Sequence, residues 1–369
     1  MSSFLYQDVY NDILKKISNE EYEFNSLLPS EKQLCEIYHV SMITIRRALN
    51  ELVNNNIVEK IKGKGTFVKA SIRKTEAEFD GNIGILVITD TNHSNSLDYP
   101  AAPFSRITYD RNPWIHTIYS SIYEKLSNKC NVLLGSCDTD KILNYFDQTV
   151  FANLQRIFLL SSNRKITSFL LNQKKLLVTL NNFEPNIHTC SILSNDRKIV
   201  CQAIEHLISL GHQNIANING SISYGASLER SMGFQEAMIK NGLPIDFSLI
   251  KWGDMTAASG YYLTKELFES QQKPTAIFCA NDNMAAGCIY ALKELGLRCP
   301  DDVSVIGYDN NPDIYQSITP SITTIDPLYK TIGEIAADKL SREIWFDDIT
   351  TVDGLLLHRS SVAPAPISK

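Results

Sequence analysis

The stretch from residue 27 to residue 68 constrains this chain most. It reads LLPSEKQLCEIYHVSMITIRRALNELV and then NNNIVEKIKGKGTFV. Pro29-Ser30 interrupts the chain, and Ser30 with Gln33 three residues on predicts a capping box at a helix start. Leu34 and Ile37 then recur at helical spacing. His39-Val40-Ser41 is the expected turn, with Ser41 capping a second helix. In that helix Ile45, Ala48, Leu49 and Leu52 form the buried stripe, which leaves Ser41, Thr44, Arg46 and Arg47 on the other faces near its N-terminus. Ile57-Val58 and Thr66-Phe67-Val68 read as two short strands. Gly63-Lys64-Gly65 is their turn, where glycine permits positive φ. The pattern is a helix-turn-helix followed by a hairpin wing, an α+β unit. Hydroxyls and a helix N-terminus suit phosphate, and arginine suits phosphate or guanine.

The formal charge of the chain is -6, which by itself argues against nucleic acid. Its distribution answers the objection. Residues 1–40 carry three Lys against seven acids, whereas residues 41–70 carry Arg46, Arg47, Lys60, Lys62, Lys64 and Lys69 against Glu51 and Glu59. Positive charge is confined to the second helix and the hairpin, where counterion release favours DNA. The acidic remainder discourages non-specific contact elsewhere.

LPSEKQL, VSMITIRRAL and GKGTFV, in this order and spacing, resemble the winged-helix domain of the GntR family of bacterial transcription regulators. The resemblance implies DNA contacts from Ser30, Lys32, Ser41, Thr44, Arg46, Arg47, Lys64 and Gly65. Two positions depart from the family pattern. Lys32 and Met42 stand where arginine is usual; lysine cannot bind bidentately, and methionine has no donor at all.

A chain of 369 residues calls for two or three domains. Residues 4–18 predict an amphipathic helix behind the helix-turn-helix, through Tyr6, Val9, Tyr10, Ile13, Leu14 and Ile17. The domain boundaries expected are 1–70 for the winged helix, 71–81 for a polar linker, 82–362 for an α/β domain and 363–369 for a proline-rich tail. Strands are predicted at 83–89, 132–136, 156–160, 176–180, 214–219, 276–280 and 303–308. Helical patterns fall at 114–127, 195–210, 228–241, 256–270 and 283–295. Apolar strands alternating with helices predict doubly wound parallel sheets. The length predicts two such subdomains with a cleft between them. The polar stretch 91–113 is a long loop. Neither a membrane-length apolar run nor a signal-peptide pattern is present, so a cytoplasmic protein is expected. The eight cysteines form no CxxC pair and read as reduced, mostly buried thiols rather than a metal site.

Ligands of open α/β sheets bind beyond the carboxyl ends of the strands. Thr89, Asn181, Asn281 and Asp309 sit at such ends, Arg230 opens a helix after a glycine-containing loop, and Trp114 opens the helix after the long loop. Asp282 is expected to cap its helix, and His206 and His212 are expected to be structural. Amides, carboxylates, one arginine and an aromatic suit a polyhydroxylated ligand. HLISLGHQNIANING, RSMGFQEA, PTAIFCANDNMAAGCIYALKELG and PDDVSVIGYDN resemble the sugar-binding core of the LacI family, which is related to periplasmic sugar-binding proteins. That resemblance implies sugar contacts from Arg230, Asn281 and Asp309. Asn181 stands where Asp is common, and Met255 where an aromatic often follows the Gly-Asp pair. Trp114 and Thr89 are the candidates from the first subdomain.

The two resemblances together match the arabinose-repressor-like subfamily. They imply a homodimeric repressor on a pseudo-palindromic operator, with L-arabinose or another neutral pentose or deoxyhexose releasing it. Two other readings share the pattern: a ligand acting as corepressor, or a non-sugar such as a purine. No catalytic carboxylate pair, nucleophile elbow, Schiff-base lysine site or cofactor motif appears, so neither an enzyme nor a cofactor is expected.

Overall fold

The computed structural model describes residues 3–366 except 55–56, 70–71, 74–80, 90–112, 161–163, 182–188, 223, 271, 343–344 and 347. The expected loop 91–113 therefore lies outside the described residues, save for Pro113. The chain divides into two compact units. One comprises Met1–Thr89, Ser121–Leu193 and Glu334–Thr351; the other comprises Asp90–Ser120, Ser194–Gly333 and Val352–Lys369.

The first unit begins with the winged helix. Helix α1 (Ser3–Ser18), α2 (Glu31–Tyr38) and α3 (Met42–Asn54) precede the antiparallel strands β1 (Val58–Ile61) and β2 (Gly65–Val68). The capping box forms as the sequence predicts: Gln33 N–H donates to Ser30 Oγ, and Ser30 N–H donates to Gln33 Oε1. His39 ends α2 in the left-handed conformation at φ 52°. Ser41 Oγ then accepts from Thr44 N–H at 3.3 Å. Ile45, Ala48, Leu49 and Leu52 pack against Ile13, Leu14 and Ile17 of α1 and against Leu34. The hairpin register pairs Ile61 with Gly65, so the turn spans residues 62–64. Gly65 has φ +119°, a conformation that side chains rarely adopt.

Strand β3 (Ile72–Arg73) pairs antiparallel with β14 (Trp345–Phe346). The expected linker thus contributes a strand. The first α/β sheet has the order β15-β8-β7-β6-β4-β5, with β4 (Asn82–Thr89), β5 (Asn131–Asp138), β6 (Arg156–Leu160), β7 (Leu176–Leu180), β8 (Cys190–Ser194) and β15 (Ile349–Val352). Pairs β5–β4, β4–β6, β6–β7 and β7–β8 are all parallel. Helices α4 (Pro113–Leu126), α5 (Ile142–Gln148), α6 (Arg164–Asn172) and α12 (Tyr329–Leu340) complete the first half of the α/β elements; α4 and α12 each cross from one unit to the other. Asp348 is buried between two cations, at 2.6 Å from Lys339 and 3.1 Å from Arg342.

The second unit holds the sheet β10-β9-β11-β12-β13-β16. Its strands are β9 (Ile215–Asn219), β10 (Ile250–Trp252), β11 (Ala276–Cys279), β12 (Ser304–Tyr308), β13 (Thr323–Asp326) and β16 (Leu355–Leu357). All neighbours are parallel except β16, which closes the edge antiparallel to β13. Alternate residues of each strand face opposite layers. Ile215, Phe278 and Ile306 pack on α7 (Asp196–Ser209) and α8 (Gly225–Lys240). Ile218, Ile277 and Val305 pack on α9 (Ala257–Glu269) and α10 (Asp282–Glu294). A Cβ at Gly260 would lie 2.2 Å from Met284 O, and one at Gly287 would lie 1.9 Å from Ala257 O, so two glycines permit the close crossing of α9 and α10. A short helix, α11 (Pro312–Tyr315), follows β12. The described part of the expected tail is tied into this unit: Ala363 N–H donates to Ser304 Oγ, and Ala365 N–H donates to Leu210 O. His212 is buried and structural, with Nδ1 on Thr275 Oγ1 and Nε2 on Ala363 O.

Candidate nucleic-acid interface and ligand site

The outer face of α3 is the first candidate site. Ser41, Arg46 and Arg47 are exposed there, as are Lys32 on α2 and Lys64 and Gly65 on the wing. Tyr6, Ile43, Arg46, Arg47, Asn50 and Asn54 line a shallow depression beside it. Glu31 organises the cations. Its carboxylate takes Lys60 from the wing at 2.7 Å and Arg46 from α3 at 2.8 Å, and these hydrogen bonds hold it below the usual carboxylate range. Arg47 lies over the Tyr6 ring at 3.9 Å. Thr44 is half-buried, and its hydroxyl bonds Ser41 Oγ at 2.9 Å, so the pair acts as one cap. Ile43, which the sequence reading passed over, is 80% exposed beside Met42. The N-terminal turn of α3 thus presents two apolar side chains between the flanking cations.

The second candidate site is a buried polar layer at the carboxyl ends of β9, β11 and β12, on the α7/α8 side of the second unit. Arg230 of α8 is 6% exposed. Its Nε donates to Asp196 Oδ2 at 3.1 Å, its Nη1 donates to Ala280 O at 2.6 Å, and its guanidinium stacks 3.5 Å from the Tyr308 ring centroid. The Tyr308 hydroxyl donates to Asp196 Oδ1 at 2.7 Å. The two bonds from Arg230 occupy two of its five N–H donors, so among the described residues three are left for another partner. Asp309 follows Tyr308 at φ +102° and accepts from the Tyr329 hydroxyl at 2.8 Å. Trp114 packs on Tyr329 with ring centroids 5.8 Å apart. Arg230, Asp309 and Trp114 are therefore connected through Tyr308 and Tyr329.

Burial dominates the electrostatics of this layer. It pushes Asp309 up to about 6, against the opposing pull of Arg230 and the Tyr329 hydrogen bond. It raises Asp282 to about 8, although Asp282 accepts from Thr324 Oγ1 and Asn311 N–H. Burial lowers Arg230, but Asp196, Tyr308, Asp309 and Tyr329 outweigh it, and the guanidinium stays charged.

The expected site residues separate into two groups. Arg230, Asn281, Asp309 and Trp114 all belong to the second unit. Asn281, not Asp282, caps α10: its side-chain oxygen accepts from Met284 N–H at 2.8 Å and its amide donates to Met255 O at 2.9 Å. Asp282 sits one residue too late to cap and turns inward to the α11 loop and β13. Asn181 is exposed at φ 52° in the first unit, with its N–H on Ile192 O. Thr89 ends β4 in that unit, and its side chain lies outside the described residues. Sequence reasoning missed Asp196 and Tyr329. Asp196 looks like an acid in the first turn of a helix, and only the fold brings it to Arg230, 34 residues away in the chain.

Comparison with known proteins agrees with both halves. Residues 5–68 match the model of bacterial regulatory proteins of the gntR family. Residues 204–355 match that of the periplasmic binding protein-like domain. The chain joins a GntR-type helix-turn-helix domain to a periplasmic-binding-protein-like domain. It is 29% identical, over 84% of its length and 90% of the other's, to the "Probable HTH-type transcriptional repressor ExuR" of Bacillus subtilis (strain 168). It is 36% identical to the HTH-type transcriptional repressor PurR of Serratia proteamaculans (strain 568), over 48% of this chain and 53% of that one. The chain thus spans about half the length of that PurR relative. Among solved structures, the transcriptional regulator CelR-cellobiose complex superposes with a TM-score of 0.65 at 21% identity, covering 87% of this chain and 91% of that one. That likeness is one of fold. Among the described residues no helix is long and apolar enough to cross a membrane, and no cluster of His, Cys, Asp or Glu could hold a metal ion.

Proposed function

We propose that this protein is a transcriptional repressor that binds operator DNA through its GntR-type domain and leaves it when a small neutral sugar occupies the polar layer of its periplasmic-binding-protein-like domain. What carries the reading is one chain in which α3 and the wing present Arg46, Arg47, Lys60 and Lys64 while a separate unit holds the Arg230–Asp196–Tyr308 layer at its strand ends. Ser30, Lys32, Ser41, Thr44, Arg46, Arg47, Lys64 and Gly65 are the proposed DNA contacts. Ile43 joins them: an apolar side chain in the major groove fits the thymine methyl group. Met42 adds a second apolar group where an arginine would read guanine. A homodimer on a pseudo-palindromic operator follows from the symmetry such readers use.

Arg230 and Asp309, with Trp114 as an aromatic wall, are the proposed ligand contacts; Asn281, Asn181 and Thr89 are secondary. Arg230 is already neutralised by Asp196, which favours an uncharged ligand over a sugar phosphate. L-arabinose, other pentoses and deoxyhexoses are the candidates. The test has two arms. An operator is selected from random duplexes with the full chain, and its affinity is followed by fluorescence anisotropy as neutral sugars are titrated. One sugar should weaken binding at least tenfold, and by linkage the operator must weaken that sugar by the same factor. Tighter binding with sugar would make the ligand a corepressor. Equal affinity for all duplexes would end the operator reading.

A further inference from the structure

One part of the polar layer is unaccounted for. Asn217 and Asn219 of β9 are fully buried, and none of their side-chain nitrogen or oxygen atoms finds a hydrogen-bond partner among the described residues. The hydroxyl of Ser227 on α8, also fully buried, is in the same position. Buried polar groups in native proteins are almost always paired, and a half-satisfied network is worse for stability than an apolar one. The three residues are neighbours in the fold. Asn217 and Asn219 alternate with Ile218, which faces α9 and α10, so they share the face of Ile215, which packs on α7 and α8. Ser227 precedes Arg230 by one turn of α8. Ala280, whose carbonyl holds Arg230, donates its N–H to Ile218 O beside Asn219. The layer therefore has a satisfied half, built on Asp196, Arg230 and Tyr308, and an unsatisfied half continuing from it.

Met255 covers the junction. A Cβ on Gly220 would come within 2.1 Å of Met255 Cε and 2.8 Å of Ser227 Oγ, so thioether and hydroxyl crowd over the same glycine. Met255 is half-buried. Its backbone is held at φ +71° and anchored by Asn281 through its carbonyl, while its side chain is unbranched and flexible.

We propose that Asn219 and Ser227, backed by Asn217, form a hydroxyl-reading subsite of the effector site, and that the Met255 side chain moves aside to admit the ligand. The inference rests on the proposed ligand-binding role of this unit. An amide and a hydroxyl both donate and accept, which matches a sugar hydroxyl that donates once and accepts twice. No charge belongs to the unsatisfied half, so the group inserted there is neutral and not a carboxylate or phosphate.

The test uses the full chain and titration calorimetry with a panel of neutral pentoses, hexoses and deoxyhexoses. Asn219→Leu, Asn219→Ser and Ser227→Ala are compared with wild type, and far-UV circular dichroism and a cooperative melt confirm folding. The sugar that binds wild type should bind Ser227→Ala and at least one folded Asn219 variant at least tenfold more weakly. Asn219→Leu, if folded, should also melt higher than wild type without sugar, because it removes unpaired amide atoms. Undiminished sugar affinity in the variants would overturn the subsite while leaving the sugar reading intact. A lower melting point for Asn219→Leu, with sugar affinity unchanged in Asn219→Ser, would make Asn219 structural and likewise overturn it. Absence of binding by any neutral sugar to wild type would overturn the sugar reading and this subsite together.

Discussion

Removing Arg230 tests the buried layer most directly. The guanidinium lies 3.1 Å from Asp196, and both side chains are nearly inaccessible, at 8% and 2% exposure. With an effective dielectric near 20, that separation corresponds to roughly 5 kcal/mol of gross attraction. Stacking on Tyr308 adds about 2 kcal/mol in a desolvated setting. Desolvation of the pair offsets a large part of this, but truncation does not recover it. Arg230→Ala leaves the buried Asp196 carboxyl without its ion-pair partner, with side-chain hydrogen bonds from Tyr308 and Ser194 among the described residues, and leaves Ala280 O without its donor. Breaking a buried pair from one side costs about 3–5 kcal/mol. For a domain of this size, about 2–4 °C per kcal/mol then places the loss of melting temperature on the order of 10 °C.

The assay is differential scanning calorimetry of Arg230→Ala, Asp196→Asn and the double variant. The cycle should show a coupling of about 3 kcal/mol, with the double variant more stable than the sum of the singles predicts. Arg230→Ala melting within about 2 °C of wild type, roughly 1 kcal/mol, would refute the reasoning. Arg230 would then be a free ligand-binding arm, not a strut that also offers three donors. The distinction matters for any ligand screen, because a variant that has lost its fold also loses its ligand.

Three other outcomes are expected. Lys64→Ala should lower the slope of log affinity against log salt on the selected operator by about 1, with sequence preference unchanged; an unaltered slope would remove the wing from the interface. Replacing thymine by uracil at the half-site position facing Ile43 should weaken binding about fourfold, the worth of about one buried methylene, and Ile43→Ala should abolish that sensitivity. Asp309, held near 6 in the folded state against 3.8 ordinarily, binds its proton more tightly when folded. Its contribution to stability is therefore complete below about pH 4 and lost as pH rises through about 6. Asp309→Asn should thus gain up to roughly 3 kcal/mol over wild type at pH 7.5 and nothing at pH 3.5, measured by urea unfolding at each pH; a pH-independent difference would contradict the desolvated, proton-holding carboxyl.

The winged helix was legible because its signals are local. Ser30 and Gln33 are three residues apart, and the Ile45 stripe lies within one helix. The apolar strands β4, β5, β6, β7, β9, β11 and β12 were legible for the same reason. What escaped was weakly patterned or non-local. Strands β8, β13 and β16 have three to five residues, and β13 buries threonines, which carry no apolar signature. IANIN was legible as a strand, but its alternation is deceptive: in a sheet covered on both faces the polar positions are as buried as the apolar ones. Asp282 was misjudged because Asn281 and Asp282 are both good caps, and only the β11–α10 geometry decides which residue stands at the helix start. Asp196 and Arg230 could be paired only by the crossing of α7 and α8.

The carboxyl ends of the second sheet gather features that work against folding. Met255 and Asp309 hold positive φ without being glycine, each at a cost of about 1–3 kcal/mol. Asp282 is buried and Asp309 half-buried, and desolvation raises the proton affinity of both. Asn217, Asn219 and Ser227 keep polar atoms unpaired. The strand segments leading to them, Ile215–Ala216, Ala276–Phe278 and Val305–Ile306, are fully regular and close-packed. Isolated departures occur elsewhere, such as positive φ at His39 and Lys174 and the unpaired Ser26 hydroxyl, but here positive φ, raised carboxyls and unpaired amides gather at one end of one sheet, which is the pattern of a functional site rather than of a poorly specified fold. It also limits what a ligand must do. A ligand that satisfies the unpaired groups gains free energy the empty site has forgone, and at a hundred times its dissociation constant it raises stability by about 2.7 kcal/mol. To act on DNA it must do so unequally in the operator-bound and free forms, because a ligand indifferent to that difference shifts nothing however tightly it binds.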